Sequence, residues 1–233
     1  MSKLAITAFF LFISFGLFAQ DCDLYIPMEE GKGFQYQNFN RRDRLEGVNE
    51  VIIKNVNRKS DRTEAVMQAR YYDSRERLQH EGEYMITCKG NELIIDMQSI
   101  IDQTQMESFE GMEVSLTTID NLTIPGNISV GDKLPDGKMI MKVSMGGRTM
   151  SEMNFTTQNR TVEGKETITT PAGTFESYKI TYENVMDTRT MGITRKTVTK
   201  GVEYFSPGVG NVRSEFYDDR DRLQSYTVLS KIY

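Results

Sequence analysis

The chain has 233 residues with a formal net charge of −5 at pH 7, and 38% of its residues are hydrophobic. Its basic residues are distributed along the chain instead of forming one basic segment, which argues against a nucleic-acid partner. The sequence has no Pro- or Ser-rich linker, so we expect residues 21–233 to form a single β domain that buries a core.

Residues 1–20 have the features of a secretory signal peptide. Lys3 precedes an apolar run over residues 4–18, whose only polar members carry hydroxyl groups. This run is short for a bilayer span, and no stop-transfer charges follow it. We therefore predict an exported protein of the periplasm or outer cell surface, without a transmembrane anchor after cleavage. The alternatives are a retained anchor and a lipid-modified Cys22, which Asp21 disfavours because a small residue is required before such a cysteine.

The two cysteines of the chain, Cys22 and Cys88, are predicted to form a disulfide. Export places them in an oxidising compartment, where an even number of cysteines usually pairs. A catalytic or metal-binding thiol would need a base or further ligands nearby in the sequence, and neither is present. The bond would fasten the new N-terminus to the end of a β-hairpin.

A short segment occurs three times, and each copy is predicted to be the tip of a β-hairpin. An aromatic residue, an Asn or Asp, a charged turn and a Leu recur at fixed offsets, with strand-forming residues on both sides. We expect the leucines to point inward, and the carboxylates of the third copy to keep ordinary pKa values in water. The copies are FNRRDRLE (39–46), YDSRERLQ (72–79) and YDDRDRLQ (217–224).

The rest of the chain has the alternation of β-strands with one interruption. Ser99 and Asp102 resemble the start of a short helix that Gly111 would end. The pattern predicts an all-β fold of ten or more short, mainly antiparallel strands with one short helix. A barrel, an open half-barrel and a sandwich all remain compatible with this pattern.

Methionines give the clearest candidate for a binding surface. Met139, Met141 and Met145 share one face of a predicted strand, and Met153 follows after the Gly146-Gly147 turn. Flexible thioethers often fill irregular gaps in a core, but they also line adaptable apolar grooves. A copper(I) site would use the same soft ligands, although no His or Cys lies near them in the sequence. The core, the groove and copper are therefore three alternatives for these residues.

The sequence shows no constellation that indicates catalysis, a metal site or a cofactor. His80 is the only histidine, and it alternates with apolar residues as a satisfied, partly buried side chain would. No Gly-x-Ser-x-Gly motif is present, and the acidic hairpin tips lack the regular oxygen ligands of a calcium loop. We therefore expect a non-enzymatic protein without a cofactor.

Four segments resemble the DUF3108-like, or TapB, family of exported bacterial proteins. This resemblance covers essentially the whole mature chain, and it implies an all-β exported domain with no established activity and no catalytic residues. The family often has Gly where this chain has Asp43, Glu76 and Asp221, so the second tip is expected to form a different turn. The segments are 22–27 (CDLYIP) with Gly31, 130–137 (VGDKLPDG), 163–180 (EGKETITTPAGTFESYKI) and 201–212 (GVEYFSPGVGNV).

Two functions are compatible with these features. The first, which we favour from the sequence, is an envelope component whose β surface binds another envelope protein as part of an assembly. The second is a carrier of an apolar or lipid ligand in a half-barrel groove. The first requires an interior that the chain fills by itself, whereas the second requires a cavity that its side chains leave open.

The disulfide gives a first testable prediction. Cys22 and Cys88 of the exported protein should react with a thiol reagent only after a reductant is added. Replacing either residue with Ser should lower the melting temperature by several degrees, since the bond closes a long loop and contributes up to about 4 kcal/mol. Complete thiol labelling of the native exported protein would contradict the cross-link.

Overall fold

The structure is a computed structural model that describes residues 26–100, 109 and 111–233. The predicted signal peptide, residues 1–20, and Cys22 lie outside the described residues, as do residues 101–108 of the predicted helix. A single turn of 3-10 helix spans Met97–Ile100 at the point where that helix was expected to begin. No helix in the described ranges is long and apolar enough to cross a membrane.

The fold is all-β, as the alternation predicts, and its strands belong to one antiparallel sheet of 13 strands. The strands in chain order are β1 (Gly33–Asn40), β2 (Leu45–Arg58), β3 (Arg62–Asp73), β4 (Leu78–Lys89), β5 (Glu92–Ile95), β6 (Glu113–Asp120), β7 (Leu122–Pro125), β8 (Gly137–Met145), β9 (Arg148–Thr170), β10 (Gly173–Thr190), β11 (Ile193–Ser206), β12 (Gly210–Tyr217) and β13 (Leu223–Ile232).

The sheet curls into a nearly closed barrel, which decides between the three architectures that the sequence left open. Its order is β6-β8-β9-β10-β11-β12-β13-β1-β2-β3-β4-β5-β7. The two end strands, β6 and β7, follow each other in the chain with only Asn121 between them. The ends therefore meet along a line that we call the seam, with β7 on one side and β8 and residues 131–135 on the other. Gly137 lies so close to Leu122 across the seam that a Cβ at this position would be 2.6 Å from the Leu122 side chain.

Two strands are much longer than the short strands that the sequence predicts. Strand β9 has 23 residues and β10 has 18. Their pairing register shifts near Thr181, opposite Asn159, whose φ is +56°. The first half of β9 pairs with β8, whereas beyond this irregularity Lys133 bridges Thr161 and the Leu134 amide donates to the Arg160 carbonyl over 2.9 Å. This bulge therefore allows β9 to pair with β8 over its first half and with residues 131–135 beyond the bulge.

The three repeated segments form the tips of three hairpins, as predicted, and they lie side by side on one rim of the barrel. The hairpins are β12–β13, β1–β2 and β3–β4, which are consecutive in the sheet. In each tip one oxygen of the Asn or Asp side chain accepts hydrogen bonds from two backbone amides of the turn: Asn40 from Arg42 and Arg44, Asp73 from Arg75 and Arg77, and Asp218 from Arg220 and Arg222.

All three tips use the same backbone turn, so the expectation of a different second turn is wrong. The φ angles of Asp43, Glu76 and Asp221 are +57°, +60° and +59°. The short polar side chains of Asn and Asp tolerate this left-handed conformation, but Glu adopts it at a cost. The side-chain cap on the turn therefore determines its conformation even where the residue at positive φ is unfavourable.

Two further expectations about the tips are wrong. Leu45 and Leu78 are 39% and 52% exposed, so they do not point into a core, whereas Leu223 is half-buried. The pKa of Asp218 is lowered to about 2, chiefly because Arg222 and the turn amides donate hydrogen bonds to its carboxylate. The resulting stabilisation is present above the ordinary Asp pKa of 3.8, and it is lost as the pH falls through about 2.

Replacing Glu76 with Gly should raise the melting temperature. Gly removes the strain of a long side chain at positive φ, which offsets the entropy that Gly adds to the unfolded chain, so we expect a gain of about 2–4 °C. Ser74→Gly in the same turn is the matched control: Ser74 is not among the residues at positive φ, so Gly should leave the melting temperature unchanged or lower it. Equal thermal shifts for the two variants would contradict a strained Glu76.

Candidate ligand-binding cavity

The barrel contains a cavity of about 520 Å³ beside the seam, which is partly open to solvent. This volume lies within the range of about 300–1,000 Å³ that is usual for small-molecule sites. One part of its wall is apolar and the other part is polar. The apolar part includes Ile95, Leu122, Ile124, Phe155, Met186 and Phe216, and the polar part includes Thr157, Arg160, Asn184, Thr199 and Glu203.

A second cavity of about 440 Å³ adjoins the first at Glu203. The two cavities share Ile95, Ile124, Glu203 and Phe216 as lining residues. The second cavity is largely aromatic and aliphatic, and it includes Tyr36 and Tyr84, whose pKa values burial raises. The interior therefore contains two adjacent, mainly apolar spaces beside its packed core.

Arg160 is the buried cation of the first cavity, and its side chain is 4% exposed. Its Nη1 donates to the Thr123 carbonyl over 2.9 Å and to the Pro135 carbonyl over 2.7 Å. Within the described part of the chain, Nε and Nη2 have no acceptor, and Arg160 takes part in no ion pair. Burial lowers the pKa of Arg160, and the charge of Glu203 opposes this effect.

Glu203 is the acidic group where the two cavities meet. Burial raises its pKa above the ordinary value, while the Arg160 charge and the hydrogen bond from the Tyr182 hydroxyl oppose that rise. Glu203 retains accessible surface because it faces the cavities. Arg160 and Glu203 thus influence each other through space but make no direct ion pair in the described structure.

Gly201 allows Tyr182 to reach Glu203. The two residues are paired across strands β10 and β11, and the Tyr182 ring lies over the Gly201 backbone. A Cβ at Gly201 would be 2.2 Å from the Tyr182 Cζ atom, a distance that no side chain tolerates. The absence of a side chain at this position therefore places the tyrosine ring against the wall of the barrel.

The four methionines that the sequence singled out lie at a different place. Met139 and Met141 are fully buried, and Met139 packs with Met97, Leu116, Leu122 and Phe155 in a small core cluster. Met153 pairs with Met141 across β8 and β9 and is half-buried.

Met145 is 55% exposed, because it ends β8 at the Gly146-Gly147 turn. The main cavities are lined by other side chains. Ligand binding by these methionines therefore stays a prediction, and the packing of Met139 and Met141 is that of core residues.

Other residues that the sequence drew attention to are dispersed. His80 is half-buried beside the Tyr71 ring, and its Nε2 has no hydrogen-bond partner among the described residues, so the expectation of a satisfied histidine is wrong for this atom. No group of three or more His, Cys, Asp or Glu in the described ranges is placed to hold a metal ion. Cys88 is 1% exposed and is not a free thiol. Its predicted partner Cys22 lies outside the described residues, so this pairing also stays a prediction.

Sequence reasoning missed Arg160, Tyr182 and Glu203. Each lies in a strand with ordinary alternation of polar and apolar residues. The two charged residues, Arg160 and Glu203, are more than 40 residues apart in the sequence. One signal was available, since Glu203 stands between Val202 and Tyr204 in a segment that resembles the DUF3108-like family. A charged residue among strand residues that are otherwise apolar marks a polar position inside the sheet.

The fold and the cavity together define the class of protein. It is a nearly closed antiparallel β-barrel whose mainly apolar interior contains two charged groups, Arg160 and Glu203. The DUF3108-like family model matches residues 29–229, so the chain belongs to the DUF3108-like family. This confirms the resemblance that the sequence motifs carry. No curated protein matches the chain.

Two solved structures share this fold. One is an inferred exported protein with a YmcC-like fold from Bacteroides fragilis, with 22% identity and a TM-score of 0.71 over 91% of this chain and 100% of that chain. The other is an inferred lipoprotein from Parabacteroides distasonis, with 23% identity and a TM-score of 0.73 over the same shares of the two chains. At these identities the likeness establishes the fold.

The Gly201–Tyr182 contact leads to a prediction about stability. Gly201→Ala should destabilise the fold by about 1–3 kcal/mol, because the added methyl group overpacks the wall of the barrel. Gly164→Ala is the matched control, since nothing lies within 4 Å of a Cβ at Gly164. It should change the free energy of unfolding by less than about 0.5 kcal/mol. Chemical denaturation of both variants measures the difference, and similar values would show that the contact is unimportant.

Proposed function

We propose that this protein is an exported carrier that binds a hydrophobic or amphiphilic small molecule inside its barrel. The observation that carries the proposal is the cavity of about 520 Å³, which adjoins a second space of about 440 Å³. The sequence is compatible with a filled interior and with an open one, and the cavity volume distinguishes the two. The observed volume supports the carrier.

The wall of the cavity supports the same proposal. Its apolar part would cover the hydrocarbon portion of a ligand, while the hydroxyl, amide and charged groups would orient the polar portion. Thr157 donates to Asn184 over 2.8 Å, so part of this polar wall is held in a fixed arrangement before a ligand arrives. Such preorganisation reduces the entropy lost on binding.

Binding of an envelope protein is the second candidate, and the hairpin rim favours it. The three tips are adjacent, and exposed arginines project from each: Arg41, Arg42, Arg44, Arg75, Arg77, Arg220 and Arg222. The two functions are compatible, because a carrier that transfers its ligand also needs a docking surface. The export and envelope location of this chain belong to the proposal, supported by the signal-like residues 1–20 and by the exported and lipoprotein neighbours.

Binding of the uncharged fluorescent probe N-phenylnaphthylamine tests the carrier function. The mature protein should bind this probe saturably, and Thr199→Phe should weaken binding by roughly tenfold or more because the ring fills the cavity. Thr194→Phe, an exposed position on the same strand, is the matched control and should leave the affinity unchanged.

Melting temperatures of both variants show whether each is folded. Absence of saturable binding by the parent protein would refute the carrier function. Equal losses of affinity in the two variants would also refute it.

A further inference from the structure

The geometry points to a carboxylate-headed amphiphile as the ligand, with Arg160 binding its carboxylate and the apolar wall covering its chain. This inference rests on the proposed carrier function and adds the chemical class of the ligand. It starts from the open edge of the Arg160 guanidinium.

The guanidinium of Arg160 is held in place by one nitrogen and is open at the others. Both of its hydrogen bonds use Nη1, which anchors the group to the carbonyls of Thr123 and Pro135. The Nε–H and one Nη2–H lie on another edge of the planar group and point in parallel. This edge fits the two oxygens of a carboxylate, which accept two parallel hydrogen bonds.

Arg160 also lacks the negative partner that a buried charge requires. It is 4% exposed, and in the described part of the chain it forms no ion pair. A buried cation is costly unless it is paired, so the site favours a ligand that brings a negative charge. A ligand in the cavity would contact Arg160, because Arg160 is part of the cavity wall.

Glu203 limits the charge of the ligand. It faces the same cavity, so a dianionic head group such as a phosphate monoester would meet a second carboxyl group there. A carboxylate brings only one negative charge, and the raised pKa of Glu203 reduces the repulsion that remains. A cationic head group would be repelled by Arg160.

The rest of the wall fits a hydrocarbon chain. Ile95, Leu122, Phe155, Met186 and Phe216 contribute apolar surface around the same space. The second cavity adjoins this space at Glu203 and is also mainly apolar, so it offers further room for a long chain. Burial of the chain would supply most of the affinity, and the carboxylate would supply the orientation.

Competition between amphiphiles of one chain length tests the head group. Dodecanoate, dodecanol and dodecyltrimethylammonium are each titrated, below their micellar concentrations, against N-phenylnaphthylamine bound to the mature protein. Dodecanoate should displace the probe at about one tenth or less of the dodecanol concentration, because hydrogen bonds to a charged group are the stronger ones. The ammonium compound should be the weakest competitor.

The outcomes separate this inference from the carrier function. If the probe binds but dodecanol competes as well as dodecanoate, the carboxylate assignment is wrong and the carrier function stands. If the probe does not bind to the parent protein, both are wrong.

Two variants examine the roles of the charged residues. Arg160→Lys keeps the charge but loses the two parallel donors, so the preference for dodecanoate over dodecanol should fall by about tenfold. Because Arg160→Lys also removes the anchor at the seam, Glu203→Gln provides a second variant that keeps the hydrogen-bonding groups. It removes a negative charge, so dodecanoate should bind about twofold tighter or more relative to dodecanol. Weaker dodecanoate binding by Glu203→Gln would overturn the assigned arrangement.

Discussion

The anchor of Arg160 at the seam is the contact on which the architecture depends. A sheet of 13 strands with free ends would expose the edges of β6 and β7, and edges of this kind pair with other chains unless they are covered. Arg160 lies in β9 where that strand leaves β8 and pairs with residues 131–135, and its Nη1 holds both the Thr123 carbonyl of β7 and the Pro135 carbonyl. One side chain thus joins the two sides of the seam. Hydrogen bonds of this charged kind contribute about 1.5–3 kcal/mol each.

The same residue couples the closure of the barrel to its interior chemistry. The guanidinium of Arg160 bonds the seam with one nitrogen, and the buried residue is also part of the cavity wall. Glu203 compensates part of the buried charge at a distance, and the Tyr182 hydroxyl donates to Glu203, with Gly201 leaving space for the tyrosine ring. The interior therefore combines an apolar wall with an incompletely paired charge. A protein selected for stability alone would fill such a space with packed side chains.

The hairpin rim shows how much a short local motif can determine. Three copies of one segment form three equal turns, each capped by an Asn or Asp that accepts from two backbone amides of its own turn. Contacts between neighbouring tips follow from this repetition: the Arg41 amide donates to the Gln224 carbonyl over 2.9 Å, and the Tyr226 hydroxyl donates to Asp43 over the same distance. The rim therefore fixes how these six strands are connected. Local hydrogen bonds determine these connections, and no packed core is needed for them.

The sequence by itself determined the all-β class and the three hairpins, because alternation and turn capping act between residues a few positions apart. Its motifs also identified the DUF3108-like family. It misjudged Leu45 and Leu78 of the tips, since burial depends on how neighbouring strands pack around each tip. Closure of the barrel, the bulge in β9 and the cavity were decided only by the tertiary structure. Arg160, Tyr182 and Glu203 come from three different strands, and Thr123 and Pro135 from two further segments. No local pattern relates these residues, because only the pairing order of the whole sheet brings them to one cavity.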